Sequence, residues 1–275
     1  MTRAPKFKNP SFTQRIKSML GVDFYRLFHT PVFYIFLAIA AIIPAMVLGT
    51  SGMENLQTGE ESVQLYTNVW HIIAAEKPLY VVSNIAEYAN MNMVFIFGGI
   101  MVSIFIGHDY KSGYVKQLFT THAKKQDYMI SKTLTCAFTM ACMCITYFIG
   151  AVAAGLFTKI SFQINVGSLM CAVLSKMVMS LGWASLYTFL NIIFRKYFAV
   201  SIASSFFFDT GILIIGAATI LGNNSILNMF LYGSSVYACL SANLMTLIVC
   251  IACSVVWSVI YNVLGTRILY KSDVY

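Results

Sequence analysis

Six apolar runs, each long enough to cross a bilayer as a helix, constrain this chain more than any other feature. A hydrocarbon core of about 30 Å takes about 20 helical residues rising about 1.5 Å each. Residues 31–50, 91–107, 133–157, 169–194, 198–221 and 241–264 meet that requirement. The chain is 59% hydrophobic and only 10% charged, against roughly 25% charged residues in ordinary soluble domains, and its mean hydropathy is +0.75. The expected fold is therefore an all-α integral membrane protein, one transmembrane domain over residues 1–275 with six transmembrane helices. An even number of crossings leaves both termini on one side.

The cations say which side. Arg3, Lys6, Lys8, Arg15, Lys17 and Arg26 precede the first run, and Lys111, Lys116, Lys124, Lys125 and Lys132 lie between the second and third. Arg195 and Lys196 sit in the fourth turn, and Arg267 and Lys271 in the tail, so fifteen of the eighteen lysines and arginines fall on one face. Only Lys77 and Lys159 fall on the other, with Lys176 inside a run. The positive-inside rule puts both termini in the cytoplasm. It also accounts for the net charge of +8, because cationic inner loops lie against anionic membrane lipids and need no nucleic-acid partner.

The seven cysteines do not read as a disulfide framework, since six fall inside the apolar runs and Cys239 lies close to the last one. Cys250 and Cys253 have CxxC spacing, but in a wholly apolar setting that favours packing over redox or metal chemistry. Nor is a cleavable signal evident: the first apolar run is longer than a signal core and follows a polar leader of thirty residues.

In the leader, residues 1–30, Phe12, Ile16, Met19 and Leu20 share one helical face while Gln14, Arg15, Lys17 and Ser18 take the other, and Gly21 marks the expected end. This is the pattern of an interfacial helix on the inner leaflet, the plainer alternative being a basic anchor. Pro31 opens the first span and Pro44 is expected to bend it. The external loop, 51–90, carries Glu54, Glu60, Glu61, Glu76 and Glu87 against Lys77; it is either a vestibule for cationic ligands or a solvated cap. Before the last span, 222–238 is apolar in the middle and breaks at Gly233-Ser234-Ser235, which predicts a short re-entrant-like helix.

Chemistry has few footholds. Lys176 and Asp209 are the clear ionisable groups at membrane depth, and each is by default a functional candidate because charge in lipid is costly. Asp209 falls near the midplane, whereas Lys176 lies nearer the outer end and can snorkel to headgroups. The four histidines have no ligand-spaced partner, so no metal site is expected. A phosphate-cradling GxxxxGK[ST] loop is absent, so any nucleotide hydrolysis belongs to another chain. Small residues at Gly98-Gly99, Gly150, Ala154, Gly155 and Gly216 permit close helix contact.

The inner loop, 108–132, carries five lysines against two aspartates. Its order is Asp109, Gly113, Lys116, Leu118-Phe119, Lys124-Lys125, Tyr128 and Lys132. With the interfacial leader, six spans and inner termini, this resembles the ABC-2 type transporter permeases, bacterial cytoplasmic-membrane subunits of drug, bacteriocin-immunity and peptide exporters. The resemblance implies that Lys111, Ser112, Gly113, Tyr114, Val115, Lys116, Gln117, Leu118 and Phe119 form a coupling helix. Its apolar anchor would be Tyr114, Val115, Leu118 and Phe119, with Lys111 and Lys116 supplying charge complementarity. The partners it implies are ATP-binding cassette subunits, which hold the ATP and Mg, and a second permease, identical or homologous. No cofactor is expected in this chain. The implied cargo is an amphipathic peptide or hydrophobic drug, moved along a path lined by Phe95, Phe207 and Asp209. An ion- or proton-coupled transporter working alone, or a membrane-embedded enzyme, are the competing expectations; both would call for more polar groups in the spans.

Overall fold

In the computed structural model the described residues are 10–51, 93–120, 123–157, 166–209, 229–240 and 243–271. Among them the chain forms nine helices and no strand: α1 (Phe12–Phe28), α2 (Pro31–Ser51), α3 (Met93–Lys111), α4 (Tyr114–Thr120), α5 (Lys125–Phe157), α6 (Val166–Ile193), α7 (Phe198–Asp209), α8 (Leu231–Leu240) and α9 (Leu244–Lys271). The acidic loop and the second half of the expected fifth span lie outside the described residues.

A capping box starts α1: the Ser11 hydroxyl accepts from the Gln14 N–H, and the Gln14 side chain accepts from the Ser11 N–H at 3.0 Å. The helix does not stop at Gly21, as its sequence suggested. Glycine in a helix costs about 1 kcal/mol relative to alanine but does not break it, and beyond it Leu27 is buried in the core, only 1% exposed. The stop comes where the His29 and Thr30 N–H groups bond back to the carbonyls of Tyr25 and Leu27. Pro31 then restarts the chain as α2, at the one helical position where its missing donor matters least. The two helices meet at a bend of 68°.

Among the described residues four helices, α3 over Val94–Lys111, α5, α6 and α9, are long and apolar enough to cross a membrane, or five spans if the bent α1–α2 pair counts as one. This is the anatomy of a multi-pass membrane protein. The described part of α7 has twelve residues, about 18 Å of helix, too short to span a bilayer alone. Against the expected boundaries, α5 begins at Lys125 rather than 133 and α9 runs on to Lys271 rather than 264. Both extensions lie at the lysine-rich end of the bundle, where the helices project past their apolar stretches.

Helix α6 occupies the middle, packed against α9, α5, α3, α8 and α7. Its Trp183 and Tyr187 are buried among neighbours, with Phe95 of α3 stacked on Trp183 at 5.7 Å. Short helix α8 is wedged between α6 and α9: the Trp183 indole donates to Ser235 Oγ at 2.6 Å, and the Trp257 indole to the Met229 carbonyl at 2.8 Å. Gly233, Ser234 and Ser235 therefore lie within a helix, not in a break. The thiols of Cys250 and Cys253 turn toward the carbonyls of Ser234 and Met229, the packing role expected of them. Helix α9 lies at the periphery, with 28% of its most apolar stretch buried against 61% in α3, and its exposed face of Ile248, Ile251, Val255, Val259 and Val263 suits acyl chains.

Helix α2 reaches α5 at Gly150, where a β-carbon would overlap the backbone carbonyl of Ala41. A main-chain carbonyl cannot rotate aside as a long side chain can. Gly150→Ala should therefore separate α2 from α5 at a cost of about 1–3 kcal/mol, read as a lower unfolding temperature in detergent; an unchanged midpoint would show that the two helices do not pack this closely.

Candidate functional site: a buried charge hub beneath a short helix

The segment 111–119 is not one helix. Lys111 closes α3, Ser112 and Gly113 make a turn, and α4 begins at Tyr114. Gly113 has φ of +74°, a left-handed conformation that glycine adopts without a β-carbon penalty. It reverses the chain so that α4 folds back over the lysine-rich end of the bundle.

Helix α4 turns its apolar residues inward. Val115 is 1% exposed and packs with Tyr128, Met129, Ile192 and Leu269, with Leu118 and Phe119 partly buried against the same cluster. The Phe119 ring meets Tyr128 edge-on at 5.7 Å, and the Arg26 guanidinium lies over the Tyr114 ring at 4.4 Å. The apolar residues assigned from sequence to a partner's groove are thus occupied by the chain's own helices. A seven-residue helix has too little surface to hold itself in place, and these contacts fix it. What it leaves exposed is polar: Lys116, Gln117 and Thr120, with Lys111 and Ser112 just before.

Beneath α4 lies a closed cluster of charge. Lys132 of α5, fully buried, places its ammonium 2.5 Å from Asp23 Oδ1 of α1 and 2.7 Å from Asp109 Oδ2 of α3. Arg26 of α1 binds the other Asp109 oxygen at 2.5 Å and lies 4.0 Å from Asp23. Hydroxyls complete the carboxylates: Ser131 donates to Asp23 Oδ2 at 2.7 Å, and Tyr128 to Asp109 Oδ2 at 3.3 Å. Two carboxylates and two cations balance, so ions that would each be expensive to bury alone are held with no net charge. The rings of Phe105, Tyr114 and Tyr128 surround the ammonium at 4.7 to 5.5 Å, adding cation–π attraction. Burial, and next the Asp23 carboxylate, push the Tyr114 phenol above its ordinary range despite the opposing pull of Lys132 and Arg26, so it stays neutral. Nearby, Arg15 pairs with Asp127 at 2.6 Å, a second tie between α1 and α5, and Lys125 donates to the Leu269 carbonyl at 2.6 Å, tying the end of α9 to the start of α5.

The residues singled out at membrane depth divide. Asp209 is 1% exposed and its Oδ1 accepts from the Tyr187 hydroxyl at 3.3 Å, while Oδ2 is buried without a hydrogen-bond partner among the described residues. The same Tyr187 hydroxyl lies 3.2 Å from the Phe95 carbonyl, so Phe95 and Asp209 do share one buried neighbourhood. Phe207 does not join it; it is 42% exposed and meets Phe208 edge-on. Lys176 does not snorkel outward: it is 1% exposed, its ammonium over Tyr147 and Phe148 at 5.2 and 5.7 Å. No Lys176–Asp209 ion pair forms.

Sequence reading missed Asp23 and Arg26 as interior groups, took Lys132 for a loop anchor, and overlooked Tyr187. A usable signal existed for Asp23. It is the acid of a basic leader, four residues before Leu27 on the helix face that enters the core, and a lone acid on an inward face calls for a cation. Among the described residues no group of histidines, cysteines and carboxylates could hold a metal ion.

Charge balance makes the hub testable. Lys132→Met leaves two carboxylates facing one guanidinium and should cost about 3–5 kcal/mol, seen as a lower unfolding temperature in detergent. Adding Asp109→Asn leaves Asp23 with Arg26 and should restore part of that loss; a double variant no better than additive would show that the groups act independently. Comparison with models of known protein families finds no match for this chain, and no curated protein matches it.

Proposed function

We propose that the chain is the membrane-spanning permease subunit of an ATP-binding cassette exporter, moving an amphipathic peptide or hydrophobic drug-like cargo across the bacterial cytoplasmic membrane. The observation that carries this reading is α4: a short helix at the lysine-rich end, polar outside, held inside against α1, α3, α5, α6 and α9 through Val115, Tyr114 and the charge hub. A load applied to its outer face reaches five helices at once, as a coupling element requires. ATP and its Mg belong to the partner ATPase, and closure of two such ATPases would drive alternating access between two permease copies.

On this reading the partner meets Lys111, Lys116 and Gln117 rather than Tyr114, Leu118 and Phe119. Lys111→Glu with Lys116→Glu should weaken co-purification with the ATPase at least about tenfold, while the unfolding temperature of the permease alone stays near that of the parent. Undiminished complex formation in a folded double variant would sink the coupling assignment.

One observation favours a second reading, a proton-coupled transporter working alone: Asp209, a buried carboxylate with a single hydroxyl donor among the described residues. Transport by the purified chain alone, driven by a proton gradient and lost in Asp209→Asn, would favour this second reading; no transport without the ATPase would rule it out. Loss of transport with ATPase binding intact points to Asp209 as a working group in the path; unchanged assembly and transport reduces it to a packing residue.

A further inference from the structure

At the lysine-rich end, between the end of α3 and the turn from α6 to α7, lies a cavity of about 520 Å³. Its wall is apolar, made by Ile104, Phe194 and Phe198, and its mouth carries His108, Lys111, Arg195 and Lys196. Among the described residues none of His108, Lys111 and Lys196 is ion-paired. The nearest carboxylate in sequence, Asp109, is fully buried and bound to Arg26 and Lys132 on the hub side. The Tyr110 hydroxyl, on the same lining, is buried without a hydrogen-bond partner among the described residues. The site therefore combines a cationic rim, in which Lys111 and Lys196 make no ion pair among the described residues, with the Tyr110 hydroxyl and an apolar recess, all where spanning helices end.

We infer that this cavity binds one phospholipid with an anionic headgroup from the leaflet facing the lysine-rich end. The phosphate sits among Lys111, Arg195 and Lys196, and an acyl chain lies along Ile104 and Phe198 toward the membrane interior. Charge complementarity selects an anionic over a zwitterionic headgroup, since an ammonium on the lipid would be repelled by Lys111 and Lys196. The depth selects a lipid over a free anion: Phe198 and Tyr197, 47% and 66% exposed, form the aromatic fringe found at headgroup level. Lys111 also belongs to the proposed ATPase face, and a test on the purified chain without ATPase keeps the two roles apart.

The test uses the purified full chain, with phosphatidylglycerol and phosphatidylcholine of matched acyl chains as probes and native mass spectrometry as the readout. The parent should retain one phosphatidylglycerol through a wash that strips phosphatidylcholine. A cation near a membrane surface contributes about fivefold to anionic-lipid affinity, so Lys111→Gln, Arg195→Gln and Lys196→Gln together should lower retention at least about tenfold. Lys116→Gln, Lys124→Gln and Arg267→Gln together, losing the same charge elsewhere, should not. Four results would each overturn the assignment: equal retention of both lipids, equal loss in both triple variants, displacement by free glycerol 3-phosphate, or a lipid-free dimer that covers the cavity. Phe198→Trp supplies a check that leaves the cations in place. Chain-brominated phosphatidylglycerol should quench the new fluorescence more than brominated phosphatidylcholine does, and equal quenching would count against the site.

Discussion

Everything at the lysine-rich end depends on Lys132 standing between two carboxylates. Its ammonium is wholly buried, and Asp23 and Asp109 reach it from different helices. Removing water from an ion costs several kcal/mol even after relaxation, so the three helices can come together only if every charge arrives with its counterpart. That requirement sets the rotation of α1, the point at which α3 must end and the height of α5. Once those are set, α4 has one place to lie, with Tyr114 over Arg26 and Val115 in the apolar cluster behind it.

The middle of the bundle is organised differently. There the stack of Phe95, Trp183 and Tyr187 fills the space around α6, and polar groups are met by hydroxyls and backbone carbonyls, as where the Asn191 amide donates to Ser103 Oγ at 3.1 Å and to the Tyr187 carbonyl at 2.8 Å. Such contacts position helices without drawing on paired ions, and they tolerate sliding better than a closed ionic cluster does. Asp209 is the exception in this region, a single carboxylate oxygen satisfied by Tyr187. The lysine-rich end is thus held by paired ions, and the interior by aromatic stacking and single hydrogen bonds.

Spans were readable from the chain because membrane length and hydrophobicity are local properties: α3, α5, α6 and α9 all appear where apolar runs predict them. Their ends were not, since α5 carries Tyr128 and Lys132 into the helix on the strength of contacts with α1 and α3 that no local pattern contains. Asp23 and Lys132 are separated by 109 positions, and neither has a neighbour that announces the other. Gly21 misled because glycine permits a helix end without requiring one. The direction of α4 misled for a related reason: an amphipathic segment says that one face is buried, not whether its own chain or another protein buries it.

The distance along the chain between Asp23 and Lys132 also orders assembly. At synthesis rates of about 5–20 residues per second, Lys132 is made on the order of ten seconds after Asp23. Through that interval the carboxylate has only water and Arg26, three residues on, for company, so α1 must wait with its charged face wet. Arrival of α5 draws that face inward. Helix α1 is therefore seated only once α5 has been made, and the hub forms only in chains whose α3 and α5 are already in place.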